Sequence, residues 1–345
     1  MDGLCRESFY DVAHVCPPRG RIMTSKTQLV AVALAALVIG AGLGYVVALS
    51  SGAGGEETSR ARIAALETQV AALQQQLQEA QRAASGTLQD NSVVVQGSDT
   101  MLILAQRWAE EYRKTQPELN IQVTGGGSGT GIAALIDGRV DIADASRPMK
   151  QSEIDAMVAK GKTPVAFSVA LDGVSIIVYP SNPVRELTLQ QLAAIYVGNY
   201  TNWNQVGGPD LGITVYGRQS TSGTYAFFKE HVMSNKDYRA DMQSLAGNSD
   251  LVQAVSQDPS GIAYVGVAYA ERRTDVIILG IKRDASSPAV RPTVATIKSG
   301  DYGISRPLFV ITSGYPQGKL AAYIAWILSP EGQKVAADEG YVAII

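Results

Sequence analysis

From Ser92 onward the apolar positions alternate between two rhythms. Val93 to Gln96 reads as a short strand, and Met101, Leu104, Ala105, Trp108 and Tyr112 then recur at three- and four-residue steps until Pro117 closes the segment. That spacing is one face of a helix. Ile121 to Thr124 predicts the next strand, Ile132, Leu135 and Ile136 the inner face of a second helix, and Val140 to Ala145 a third strand. Strand, short loop and helix in succession predict an α/β fold with a largely parallel sheet and helices on both faces, its functional edge beyond the carboxyl ends of the strands. The run from Pro164 to Pro180 is β-rich and too long for an ordinary strand, so a crossing from one lobe to another is expected there. A second module extends through Ile213 to Tyr216, Gly261 to Val265 and Val276 to Ile281. Lys282 to Pro292 is the expected return crossover, and the helix carrying Leu320, Tyr323, Ile324 and Ile327 packs back on the first module. The result is one lobe from 91–170 and 285–345, a second from 171–284, and a cleft between them.

Upstream of this body, Gln28 to Leu49 carries no charge and is long enough, at about 1.5 Å per residue, to span a bilayer. Arg19, Arg21 and Lys26 precede it and Glu56 and Glu57 follow, which places the tail 1–27 in the cytoplasm and the body on the extracytoplasmic side. A single-pass anchor over 28–49 is the expectation, with a signal peptide cleaved near Ala48-Leu49-Ser50 as its rival. After a Gly/Ser-rich break, Ile63, Leu66, Val70, Leu73, Leu77, Ala80 and Ala84 trace a heptad seam within 56–86. It reads either as a short coiled-coil stalk, through which copies would self-associate, or as a lone amphipathic spacer helix.

Composition narrows the chemistry. With 345 residues, 46% of them hydrophobic, and a formal net charge of -3, the chain can bury one large or two medium cores and lacks the basic stripe that nucleic-acid binding needs. Both cysteines, Cys5 and Cys16, precede the apolar run, and the two histidines, His14 and His231, are isolated, so neither a metal site nor a metal cofactor is expected in the body. Three loops carry the signal instead: Gly97-Ser98-Asp99-Thr100, the glycine-rich stretch from Gly125 to Gly131, and Arg218 to Thr224. Each joins a strand to an amphipathic helix. A helix start exposes unpaired N–H groups and a partial positive charge, glycine admits a close approach, and Ser or Thr adds short donors, so the three loops together predict a tetrahedral oxyanion held without a metal.

Arg147 and Arg218 are the cations nearest the predicted site, and a guanidinium can donate two parallel hydrogen bonds to an oxyanion. Asp99 has two readings: a helix N-cap, or an acceptor for a proton that the anion still carries. Enzyme motifs fail. Ile132 and Ala133 stand where a P-loop needs Lys and Ser/Thr, and Thr130 replaces the last glycine of a Gly-x-Ser-x-Gly elbow. Binding without turnover is the expected activity.

Taken with Ser146-Arg147-Pro148 and the stretches Gly261 to Gly266 and Tyr302 to Leu308, which look structural, these loops make the chain from about Ser92 to Ile345 resemble the periplasmic phosphate-binding proteins of ABC phosphate importers. The resemblance implies a two-lobed type II periplasmic-binding-protein fold, inorganic phosphate in the interlobe cleft and ABC permease subunits as partners. It implies ligand contacts from Ser98, Thr100, the Met101 N–H, Ser128, Arg218, Ser222, Gly223 and Thr224. Two positions depart from the family pattern: Arg147 stands where an acidic residue often accepts the phosphate proton, and Ser220 replaces an Asp that steadies the binding arginine. A membrane-tethered phosphate sensor or interaction module is the alternative to a transport role.

Overall fold

The computed structural model describes residues 91–345, together with Leu66, Gln69, Val70 and Leu73. The predicted tail and anchor lie outside the described residues, as does the stalk apart from those four positions, which are helical and exposed. Among the described residues no helix is long and apolar enough to cross a membrane.

The body begins with β1 (Ser92–Gly97), α1 (Leu102–Thr115), β2 (Asn120–Thr124), α2 (Ser128–Asp137), β3 (Ile142–Ala145) and α3 (Gln151–Ala159). Next come β4 (Pro164–Val178), β5 (Glu186–Thr188), α4 (Leu189–Val197), β6 (Thr214–Arg218), α5 (Gly223–His231), β7 (Gln243–Leu245), α6 (Asn248–Gln257) and β8 (Gly261–Gly266). The chain ends with α7 (Val267–Ala270), β9 (Ile277–Ile278), β10 (Gly280–Lys282), α8 (Val294–Ser299), β11 (Ser305–Ser313), α9 (Gly318–Ile327) and α10 (Pro330–Asp338).

One path of hydrogen-bonded strands runs β2-β1-β3-β11-β4-β8-β6-β7. Its ends are parallel, β2-β1-β3 on one side and β8-β6-β7 on the other. Its middle is antiparallel, because β4 and β11 run in opposite senses and each pairs antiparallel with its other neighbour as well. The largely parallel sheet read from the sequence therefore holds only within each lobe.

Each lobe is a sheet sandwiched by helices. In β1 the period-two pattern buries Val93 and Val95, and these meet Leu104, Trp108 and Tyr112 of α1 and Tyr323 and Ile327 of α9. The opposite face holds Ile132, Leu135, Ala143, Met157 and Ile311. Trp108 fixes α1 to the start of α10 by donating Nε1–H to the Gly332 carbonyl at 2.7 Å. In the second lobe, β8 splits its side chains the same way: Ile262 and Tyr264 face Tyr196 and Phe228, while Ala263 and Val265 face Leu251 and Val255.

The long strand β4 serves both lobes, with Val169 and Ala170 in the first core and Val174, Ile176 and Val178 in the second. The return crossover comes later than Lys282–Pro292. Ile297, Tyr302 and Ile304 still belong to the second core, so the chain re-enters the first lobe only at β11. Ile297 reaches that core because Gly173 has no Cβ in its way, and Val290 is held to Ile281 by a reciprocal pair of backbone hydrogen bonds.

Candidate functional site

The three loops sit at the carboxyl ends of β1, β2 and β6 and feed α1, α2 and α5. They meet across the cleft. Gly129 N–H donates to the Thr221 carbonyl at 3.0 Å, Thr100 and Thr224 bring their hydroxyls to 2.8 Å, and Tyr269 donates its hydroxyl to the Asp99 carbonyl at 2.6 Å. The closeness depends on Gly223, where a Cβ would overlap both Ser128 Oγ and Ser146 Oγ of the other lobe.

Arg218 lies at the centre, 1% exposed at the end of β6. Its Nη2 donates to Asp99 Oδ2 at 2.5 Å and to the Ala246 carbonyl at 2.6 Å. Its Nε and Nη1, and the hydroxyl of neighbouring Ser98, are buried without a hydrogen-bond partner. A buried charged donor left unpaired is costly, and native proteins rarely leave one. Three such donors around one carboxylate-braced arginine fit an oxyanion. Around them, Ser222 caps α5 by accepting from the N–H of Thr224 at 3.1 Å and of Tyr225 at 3.4 Å, which leaves its hydroxyl proton to donate. Ser128 Oγ accepts from Ser146 N–H at 3.1 Å. The backbone N–H of Met101 already donates to the Ser98 carbonyl at 3.0 Å, and the Met101 side chain is in the core.

Asp99 is not the N-cap of α1. Met101, without any side-chain cap, occupies the N-cap of α1. Asp99 Oδ1 instead accepts from Gly126 N–H at 2.8 Å while Oδ2 holds Arg218. It joins the first loop to the second and braces the arginine of the third, the task for which Ser220 is unsuited. Arg147 is tied to its own lobe instead. Its two terminal nitrogens donate to the carboxylate of Glu153 at 2.8 and 2.6 Å, and Nη1 also donates to the Pro148 carbonyl. Burial alone would raise the Glu153 carboxyl, but the Arg147 hydrogen bond and the Lys150 N–H outweigh it and hold the group below its ordinary range.

Three buried charges escaped the sequence reading. Asp144 on β3 passes its carbonyl to Ser98 N–H at 2.8 Å, and burial pushes its carboxyl up to about 8. Asp172 on β4 and Arg306 on β11 form a fully buried ion pair at 2.9 Å. Burial also raises the Asp172 carboxyl, against the pull of Arg306. The available signal was a charge inside an otherwise apolar strand, as in Ile142-Ala143-Asp144-Ala145.

Residues 56–331 match the PBP superfamily domain. The phosphate-binding protein PstS of Pseudomonas aeruginosa is 35% identical over 294 residues, covering 80% of this chain and 89% of that protein. PstS of Staphylococcus epidermidis is 34% identical over 258 residues, with 72% and 77% covered. Among solved structures, a substrate-binding protein from Clostridium perfringens, assigned to a phosphate ABC transporter and holding bound phosphate, shares 28% identity at a TM-score of 0.67 over 74% of this chain and 100% of its own. An ABC-type phosphate transport receptor from Vibrio cholerae shares 28% at 0.60, covering 72% and 99%. The chain belongs to the PstS family of phosphate-binding proteins, within the PBP superfamily.

Proposed function

We propose that this protein captures inorganic phosphate between its two lobes on the extracytoplasmic side of the membrane and delivers it to the permease subunits of an ABC importer, without turning it over. The observation that carries this is the set of buried, unpartnered donors on Arg218 and Ser98. An anion carrying charge-assisted hydrogen bonds from them supplies what their burial lacks. The proposed contacts are Ser98, Thr100, Ser128, Arg218, Ser222, Gly223 and Thr224, with Asp99 as brace for the arginine. The names of the relatives support phosphate over other oxyanions, and the bound phosphate in the Clostridium structure supports capture in this fold.

The segment 28–49 is proposed as a single-pass anchor and 56–86 as a stalk that keeps the body off the membrane. Their support is the uncharged apolar run with its flanking charge asymmetry, and helical Leu66, Gln69, Val70 and Leu73 on the heptad-patterned segment. A stalk is of no use to a freely diffusing carrier, and this favours one second reading, a tethered phosphate sensor or interaction module. Isothermal titration of the intact protein with phosphate, sulfate and arsenate tests the main reading. Tight phosphate binding is expected, and none at millimolar phosphate would overturn it.

A further inference from the structure

Arg306 stands in a stretch whose sequence looks merely structural, yet its surroundings are those of a site residue. It lies directly opposite Asp172 in the antiparallel register of β11 and β4, at the point where both strands change from one lobe's core to the other's. Its guanidinium is buried and touches both lobes. Nε and Nη2 donate to Asp172 Oδ2 at 3.1 and 2.9 Å, and Nη1 donates to the Ser146 carbonyl at 3.0 Å. Nη2 also donates to Thr224 Oγ1 at 2.9 Å and lies 3.4 Å from Thr100 Oγ1. Asp172 Oδ1 in turn accepts from Val267 N–H at 3.2 Å, at the start of α7 in the second lobe.

The donor and acceptor inventory decides what this network does. A guanidinium only donates, whereas each threonine hydroxyl has one proton and two lone pairs. Arg306 fills a lone pair of Thr224 and leaves it no acceptor on that side. One hydroxyl proton is used between Thr100 and Thr224, 2.8 Å apart. The other is left over, and the proposed anion is the acceptor within the cleft. Thr100 belongs to the first lobe and Thr224 to the second, so the arrangement exists only when the lobes have closed.

We infer that Arg306, held by Asp172, is a positioning residue of the anion site: it sits at the hinge and turns the Thr100–Thr224 hydroxyl pair into a donor toward the ligand as the lobes meet. This rests on the phosphate-binding reading above. Arg306 acts through the hydroxyls, not by touching the anion itself. Its effect on affinity is therefore tied to them, which a purely architectural ion pair would not be.

A double-mutant cycle on the full chain tests it, with phosphate affinity measured by calorimetry for Arg306→Lys, Thr224→Val and the pair. A lysine keeps the charge beside Asp172 but not the fork that reaches Ser146 and both threonines. Arg306→Lys should weaken phosphate about tenfold or more in the native background, and about twofold or less once Thr224 has lost its hydroxyl. Thr100→Val serves in the same cycle where Thr224→Val binds too weakly to titrate. If Arg306→Lys does not fold, Arg306→Met with Asp172→Asn removes the pair as a unit and enters the cycle in its place. Native affinity in the Arg306 variant that folds, or losses that simply add, would overturn the positioning role while leaving the phosphate reading intact. Absence of phosphate binding by the unmutated protein would remove both.

Discussion

At the scale of single residues, Asp99 and Asp144 show how one side-chain type takes opposite parts. Asp99 accepts from Gly126 N–H and from Arg218, so its charge is used to aim a guanidinium. If that is its task, Asp99→Asn should weaken phosphate and sulfate by a similar factor, about ten- to a hundredfold, since a charge-assisted hydrogen bond contributes about 1.5–3 kcal/mol. Parallel titrations check this, and a loss confined to phosphate would instead make Asp99 the acceptor of the ligand's proton. Asp144 is buried, and burial pushes its carboxyl up to about 8. An unfolded aspartate titrates near 3.9, so between about pH 4 and 8 the folded state binds the extra proton and stability falls as pH rises. Above that window both states are ionised and the slope from this group vanishes. Asp144→Asn should therefore flatten the decline in thermal stability from pH 5 to 8, by up to about 1.4 kcal/mol per pH unit, and melts of both proteins across that range are the measurement.

At the scale of elements, the site depends on helix starts brought close to one another, and Gly223 is where that closeness is decided. A methyl group there overlaps the hydroxyls of Ser128 and Ser146, the former bonded to Ser146 N–H. Gly223 is the first residue of α5, outside the helix interior where exchanging glycine for alanine changes stability by about 1 kcal/mol. Gly223→Ala should leave the ligand-free melting temperature nearly unchanged while weakening phosphate tenfold or more, about 1.4 kcal/mol, because α5 cannot approach the first lobe. Calorimetry and thermal unfolding of one preparation separate the two effects. These loops were legible in the sequence because everything that makes them is local: a strand, a glycine, a hydroxyl and a helix within a few consecutive positions. Asp99 was visible as a discordant charge, but its partners are Gly126 and Arg218, 27 and 119 residues away. Arg306 and Asp172 are separated by 134 residues and meet only because β4 and β11 pair antiparallel in one particular register. The return crossover is hard to place for a similar reason: α8 has a single buried apolar residue, Ile297, and it packs in the second core over Gly173, 124 residues earlier in the chain. The pairing of Arg147 was equally hidden: Glu153, in the first turn of α3, holds both its terminal nitrogens.

At the scale of the whole molecule, the two lobes are joined by strands that belong to both cores, and the candidate site borrows donors from each. Ser98 and Thr100 come from the first lobe, Arg218, Ser222 and Thr224 from the second, with Arg306 and Asp172 at the hinge between them. A ligand that needs all of these groups binds only when both lobes are folded and closed, so its binding free energy stabilises the folded body as a unit. At a hundredfold excess over Kd that amounts to about 2.7 kcal/mol. For a domain of this size each kcal/mol moves the midpoint by about 2–4 °C, so phosphate should raise it by roughly 5–10 °C. Scanning calorimetry with increasing phosphate should show one transition moving upward as a whole, with the shift growing logarithmically with concentration. Two transitions, only one of them moved by phosphate, would mean that the donors of a single lobe suffice and that the cleft is not the site.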